Sequence, residues 1–172
     1  MAIRLLGLDP GLRATGWGVI DVEGNYLSAV ANGTVCAPDK DDLATRLQYI
    51  FSHLTDIIAL HRPNECAIEE TFVNKNPAST LKLGHARAAA MLAASNAGLG
   101  VSEYTPNAVK KAVVGAGHAD KHQVETMVAM LLPGHKAASS DAADALAVAI
   151  CHAHHRVSNQ RLQRAMAAGA AR

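Results

Sequence analysis

The spacing of the acidic residues points to chemistry in this 172-residue sequence. Asp9 closes an apolar run, AIRLLGL over residues 2–8, and is followed at once by Pro10-Gly11. Glu69 and Glu70 close a second apolar run, Cys66-Ala67-Ile68. The tip of an apolar strand does not need a carboxylate, although an aspartate that forms a turn is an ordinary alternative reading of Asp9. Acids at two strand ends of one sheet point to a shared site at that edge. Asp141 and Asp144 stand three apart, so both project from one helical face. Like charges at that spacing repel, and the surrounding AADALAVAI is apolar enough to pack on a sheet. Two carboxylates on a largely buried face are costly unless something positive sits between them. Acids near a helix N-terminus also complement its dipole, which accounts for either residue singly but not for the pair.

Asp9, one of Glu69 and Glu70, Asp141 and Asp144 together make an all-oxygen cluster. Hard oxygen ligands without thiols or several imidazoles select Mg²⁺ or Mn²⁺ over zinc. Two such ions ~4 Å apart suit in-line displacement at phosphorus. The CHAHH segment (151–155) has the look of a soft-metal cluster. At 1.5 Å per residue it lies roughly 10–20 Å along the helix from Asp141 and Asp144, too far to share their ions. Its histidines read better as partners of the last helical carbonyls.

The elements that must position these acids follow from periodicity and turn signals. AIRLLGL (2–8), TGWGVIDV (15–22) and YLSAVANGTVCA (26–37) read as three strands joined by a DPG turn and by Glu23-Gly24-Asn25. Leucines and isoleucines recur at helical spacing from Asp41 to His61, and Arg62-Pro63 ends that helix. ECAIEE (65–70) is a short strand, and the polar loop TFVNKNPAS leads into a helix of about twenty residues ending near Ala97 and Gly98. VSEYT (101–105) is a fifth strand, with Pro106 placed to start the next helix. Lys121–Leu132 is amphipathic and stops at Pro133-Gly134. Ser139 or Ser140 can cap a last helix over 141–155. Strands alternating with helices after an opening meander give an α/β domain with a five-stranded mixed sheet flanked by helices. This is the ribonuclease H-like strand order. The domain is expected to span 1–156, followed by a basic, Ala-rich tail over 157–172 that is either a frayed helix or disordered.

Composition narrows the class. Apolar residues make up 49% and aromatics 3%, so the core rests on Ala, Leu, Val and Ile, which suits helices packed closely on a sheet. No run approaches the ~18 apolar residues of a membrane helix, and the N-terminal apolar run is too short for a signal peptide. Cys36, Cys66 and Cys151 are odd in number and lack a CxxC pair, against a disulfide framework. A cytoplasmic protein is expected. The net charge is +1, but with the four site acids set aside the basic residues exceed the acidic ones by five. That permits a polyanionic partner without requiring one.

GLDPGLRATGWG, AIEETFVNKN, KLGHARAAA and SDAADALAVAICHAH stand in this order over about residues 3–155. Together they resemble the RuvC family of Holliday junction resolvases. The resemblance implies catalytic metal ligands at Asp9, Glu69, Asp141 and Asp144, choosing Glu69 over Glu70, and strand alternation turns Glu70 to the opposite face. It implies Mg²⁺ as cofactor, two ions per site with Mn²⁺ able to substitute. It also implies a base-wedging role for Phe72, which on local grounds could instead be a loop anchor. Lys110 and Lys121 match family positions near the scissile phosphate, and Gly115 and Gly117 would allow a backbone to approach. Lys75, Lys82 and Arg87 are weaker DNA-contact candidates. The implied activity is paired, symmetric hydrolysis of a four-way DNA junction by a twofold homodimer, leaving 5′-phosphate and 3′-hydroxyl ends. The helix 79–97 is the candidate dimer face, and a RuvA–RuvB branch-migration complex is the implied partner. Three rivals share parts of the pattern. A sugar-kinase or heat-shock type ATPase needs two duplicated domains, more than 172 residues can hold. A non-catalytic junction-binding module would be expected to lack one of the acids. An RNA-processing nuclease of the YqgF group would not match as fully around Phe72 and DAADAL.

Overall fold

A computed structural model describes residues 2–71, 76–134 and 136–169, the stretch beyond 156 by its backbone alone. Three strands open the chain, β1 (Ile3–Asp9), β2 (Ala14–Glu23) and β3 (Tyr26–Cys36). Then come α1 (Leu43–His61), β4 (Glu65–Glu69), α2 (Pro77–Asn96), β5 (Val101–Tyr104), α3 (Pro106–Val114), α4 (Lys121–Leu131) and α5 (Ser140–Gly169). The strands form one sheet in the order β3-β2-β1-β4-β5. β1, β2 and β3 pair antiparallel, whereas β1–β4 and β4–β5 are parallel. The mixed five-stranded sheet flanked by helices is as expected. No helix among the described residues is long and apolar enough to cross a membrane.

Strand alternation sorts the core into two layers. Leu6, Leu8, Cys66 and Ile68 face α1 and α2, which add Ile50, Leu54 and a row of alanines from Ala86 to Ala94. Leu5, Ile20 and Ala67 face α3, α4 and α5. By the same alternation Asp9 and Glu69 fall on the α5 side of the sheet, two residues beyond Gly7 and Ala67.

Helix α5 lies unusually close to that face, because glycine meets alanine along the contact. A Cβ built on Gly7 would come within 2.1 Å of the Ala145 main-chain oxygen, and one on Gly18 within 2.7 Å of the Leu146 side chain. Ala142, Ala145 and Ala149 are fully buried. The small residues of the composition are thus spent on bringing the acid-bearing helix to the sheet. Ser139 caps it, its Oγ accepting from the Ala142 N–H at 3.0 Å and lying 2.6 Å from Thr34 Oγ1 on β3. The helix runs on to Gly169, well beyond the end expected at 155.

Candidate active site

The four acids come from three elements. Asp9 ends β1 and Glu69 ends β4, neighbouring parallel strands whose pairing stops at Leu8 and Ile68. Asp141 and Asp144 stand in the first turns of α5. Asp9 is cross-strand partner to Gly16, and a Cβ on Gly16 would fall 2.0 Å from the Asp141 main-chain oxygen. Backbone contact therefore brings the two elements together at the site itself.

Proximity is evident in the electrostatics. Burial, and then the carboxylates of Glu69, Asp144 and Asp141, push the Asp9 carboxyl up to about 8. Glu69 is also raised, by burial and by Asp144, against the pull of Asp9's hydrogen bond and of Lys110 and Lys121. Asp9 and Glu69 thus share a proton held mainly on Asp9. Burial raises Asp144 as well, opposed by Lys121, whose ammonium donates to Asp144 Oδ2 at 2.9 Å. That contact in turn raises Lys121. One proton and one ammonium are the protein's own answer to crowded negative charge.

Glu69 stands between two clefts. One, of about 240 Å³, is lined by Glu69, Lys110, Lys121, Asp144 and apolar residues of α3 to α5. The other, of about 210 Å³, is lined by Asp9, Pro10, Glu69, Glu70, Thr71 and neighbours. A larger hollow of about 320 Å³ between α4 and α5 contains none of the four acids. Among the described residues no three acids, imidazoles or thiols are already closed up as a metal cage. The acids form an open set instead. Its chemistry fits a hard divalent cation: every donor is a carboxylate oxygen, and a bound cation would offset both the burial and the crowding that raise Asp9.

The other expected residues separate. Lys110 and Lys121 line the same cleft as Glu69 and Asp144. Lys82 is exposed on α2. Arg87, expected on the DNA face, is turned inward. Its Nε donates to the Glu69 main-chain oxygen at 3.2 Å and its guanidinium pairs with Glu103. Phe72 and Lys75 lie outside the described residues. In the CHAHH segment, His152 is buried between Tyr104 Oη, 2.8 Å from Nδ1, and Glu65, 2.9 Å from Nε2. Glu65 also accepts from Arg156 at 2.8 Å. The segment is a polar anchor for α5 at the far end of β4.

Sequence reasoning missed the supporting roles of three residues. Thr15 is fully buried and locks the turn after Asp9, donating to the Gly11 carbonyl at 2.8 Å and accepting from its N–H at 3.3 Å. Ser140 donates to Glu125 at 2.7 Å beside Asp141. Arg87 is the third. Only the four-residue spacing of Gly11 and Thr15 after a DPG turn carried any prior signal.

The family model for Crossover junction endodeoxyribonuclease RuvC matches residues 5–152. The chain belongs to the RuvC family. A Crossover junction endodeoxyribonuclease RuvC from Maricaulis maris is 60% identical over 91% of this chain and 93% of its own length. One from Cereibacter sphaeroides (strain ATCC 17029) is 57% identical over 98% of this chain and 99% of its own. The structure of Thermus thermophilus RuvC in complex with a Holliday junction substrate superposes with a TM-score of 0.83 at 32% identity, covering 90% of this chain and 94% of that one. The fold is therefore ribonuclease H-like, and the RuvC family is a family of metal-dependent nucleases.

Proposed function

We propose that this chain is a structure-selective endonuclease that resolves four-way DNA junctions by hydrolysing phosphodiester bonds in paired, symmetric cuts. The observation that carries the reading is the mutual electrostatic crowding of Asp9, Glu69, Asp141 and Asp144 on the α5 side of the sheet, where burial and then their charges raise Asp9 to about 8. The high identity to named crossover junction endodeoxyribonucleases supports the same substrate.

The four carboxylates would hold divalent cations, which we take to be two Mg²⁺ ions with Mn²⁺ as a substitute. When bound, such ions supply an activated water and charge stabilisation of the leaving 3′ oxygen, giving 5′-phosphate and 3′-hydroxyl ends. The chain's own groups do the rest. Asp9 must give up the proton it shares with Glu69 before both can act as ligands. Lys121, released from Asp144, and Lys110 beside it are positioned to take the phosphate flanking the cut. Phe72 and Lys75 are assigned to the junction centre and its backbone, and the exposed Lys82 to a more distant phosphate.

Paired cuts call for a twofold homodimer. The solvent face of α2 suits that interface, since Leu81 and Leu92 are 67% and 62% exposed and fall eleven residues apart on the same side of the helix. We read residues 1–156 as the nuclease domain and the basic 157–172 stretch as its appendage. A cytoplasmic place of action and a RuvA–RuvB branch-migration partner complete the reading.

The test is incubation of the purified protein with a synthetic four-way junction and a matched duplex, each with Mg²⁺ and with EDTA. Asp9→Asn and Asp141→Asn are run alongside. Paired symmetric nicks in the junction, lost with EDTA and in both variants, are expected. Binding without cutting under any divalent ion would indicate a junction-binding module. Cutting of structured RNA in its place would indicate an RNA-processing enzyme.

A further inference from the structure

Glu69 carries its carboxylate at the last residue of a strand. β1 stops pairing with β4 at Leu8 and Ile68, and the residue after Asp9 is Pro10, which has no N–H to offer. On the other side Glu69 aligns with Tyr104, and the Glu70 N–H donates to the Tyr104 carbonyl at 2.8 Å. The Glu69 carbonyl is taken by a side chain, Arg87, whose Nε lies 3.2 Å away. The same guanidinium pairs with Glu103 on β5, the residue before Tyr104.

Arg87 is itself well fixed. It sits on α2 among Ala86, Ala89 and Ala90, all buried against the sheet, and its side chain is only 20% exposed. A planar guanidinium can serve a carbonyl and a carboxylate at once with little loss of freedom, which an ammonium cannot match. The support matters because on the β1 side the ladder stops one residue before Glu69, which leaves its carbonyl to the Arg87 side chain.

We propose that Arg87 is a positioning residue for the catalytic site: from α2 it clamps the Glu69 backbone to Glu103 and so holds the Glu69 carboxylate toward Asp9, in place of the DNA contact its charge suggests. The inference rests on Glu69 being a metal ligand, as read above. Residues that orient a ligand typically change metal affinity or activity by roughly 10- to 100-fold when removed.

Three measurements on the full chain test it, using Arg87→Gln and Arg87→Lys. They are Mn²⁺ binding to the DNA-free protein by calorimetry, Mn²⁺ dependence of junction cleavage, and junction binding in EDTA across a salt series. Arg87→Gln is expected to bind the junction within about twofold of the parent with an unchanged salt slope. It should bind Mn²⁺ roughly 10-fold more weakly and need correspondingly more for half-maximal cleavage. Arg87→Lys should recover only part of this. The proposal is overturned if Mn²⁺ binding is unchanged while junction affinity and the salt slope fall, the signature of a phosphate contact. Parent-like behaviour in all three measurements overturns it equally. Should Arg87→Gln not fold, Arg87→Lys is judged by the same criteria. A parent that neither binds Mn²⁺ nor nicks the junction sinks the nuclease reading itself, and shows it before any variant is made.

Discussion

Gly16 is the cross-strand partner of Asp9 and also the residue whose absent side chain admits Asp141, since a Cβ there would lie 2.0 Å from the Asp141 main-chain oxygen. The obstacle is backbone on a helix already in contact with the sheet at Gly7, so it cannot swing aside as a side chain would. Gly16→Ala should cost about 3 kcal/mol, at the upper end for overpacking. It should also push Asp141 away from Asp9. Thermal unfolding and junction cleavage measured well below the new midpoint check both. Wild-type cleavage in the alanine variant would show that the acids tolerate the displacement.

Asp9 governs a pH dependence whose sign can be worked out. Its carboxyl is raised from 3.8 to about 8 in the fold. Between those values the folded state holds a proton the unfolded chain has released, so stability present at low pH is lost as pH rises through that window. Asp9→Asn removes the effect. In EDTA it should raise Tm relative to the parent by several degrees or more at pH 8, since a rise of this size corresponds to several kcal/mol, with the gap closing toward pH 4. Calorimetry at both pH values decides it. A constant gap would mean that Asp9 does not carry the proton.

Divalent cations should reverse the same penalty. Mg²⁺ bound by ionised carboxylates competes with that proton, so its stabilisation of the parent should be larger at pH 8 than at pH 6. Asp141→Asn should blunt the shift. Melting curves with and without Mg²⁺ at the two pH values provide the comparison.

Lys121 has two roles, counterion to Asp144 in the free protein and phosphate ligand in the proposed complex. Lys121→Ala is expected to weaken junction binding modestly and lower the salt slope by about 1. Cleavage should fall by at least roughly 10-fold beyond the binding loss, as expected when a positioned cation is removed. Anisotropy across a salt series and single-turnover cleavage separate the two.

His152 offers a contrasting case. It is buried and bonded to Tyr104 and Glu65 at the opposite end of β4 from Glu69, about 13 Å along the strand. His152→Ala leaves two partners short of a bond and should cost about 2–3 kcal/mol. Cleavage below the melting transition should stay near the parent rate. A large loss of rate without a loss of stability would mean that the anchor reaches the site.

The elements and the acids were legible in the sequence for local reasons. Apolar runs ending in Asp9 and Glu69, and the three-residue step from Asp141 to Asp144, are patterns that period two and period 3.6 impose on any chain. Alternation predicted Glu70 on the other face from Glu69, yet the strand ends at Glu69 and both acids line the cleft that holds Asp9. Long-range packing decided the rest. That Gly7 and Gly16 form the bed of α5 depends on which strand faces alanines more than a hundred residues away, and no local pattern encodes that pairing. Arg87 looked like any surface cation by its charge. Only the tertiary fold brought it beneath the Glu69 carbonyl, at a strand end where Pro10 has no hydrogen to give.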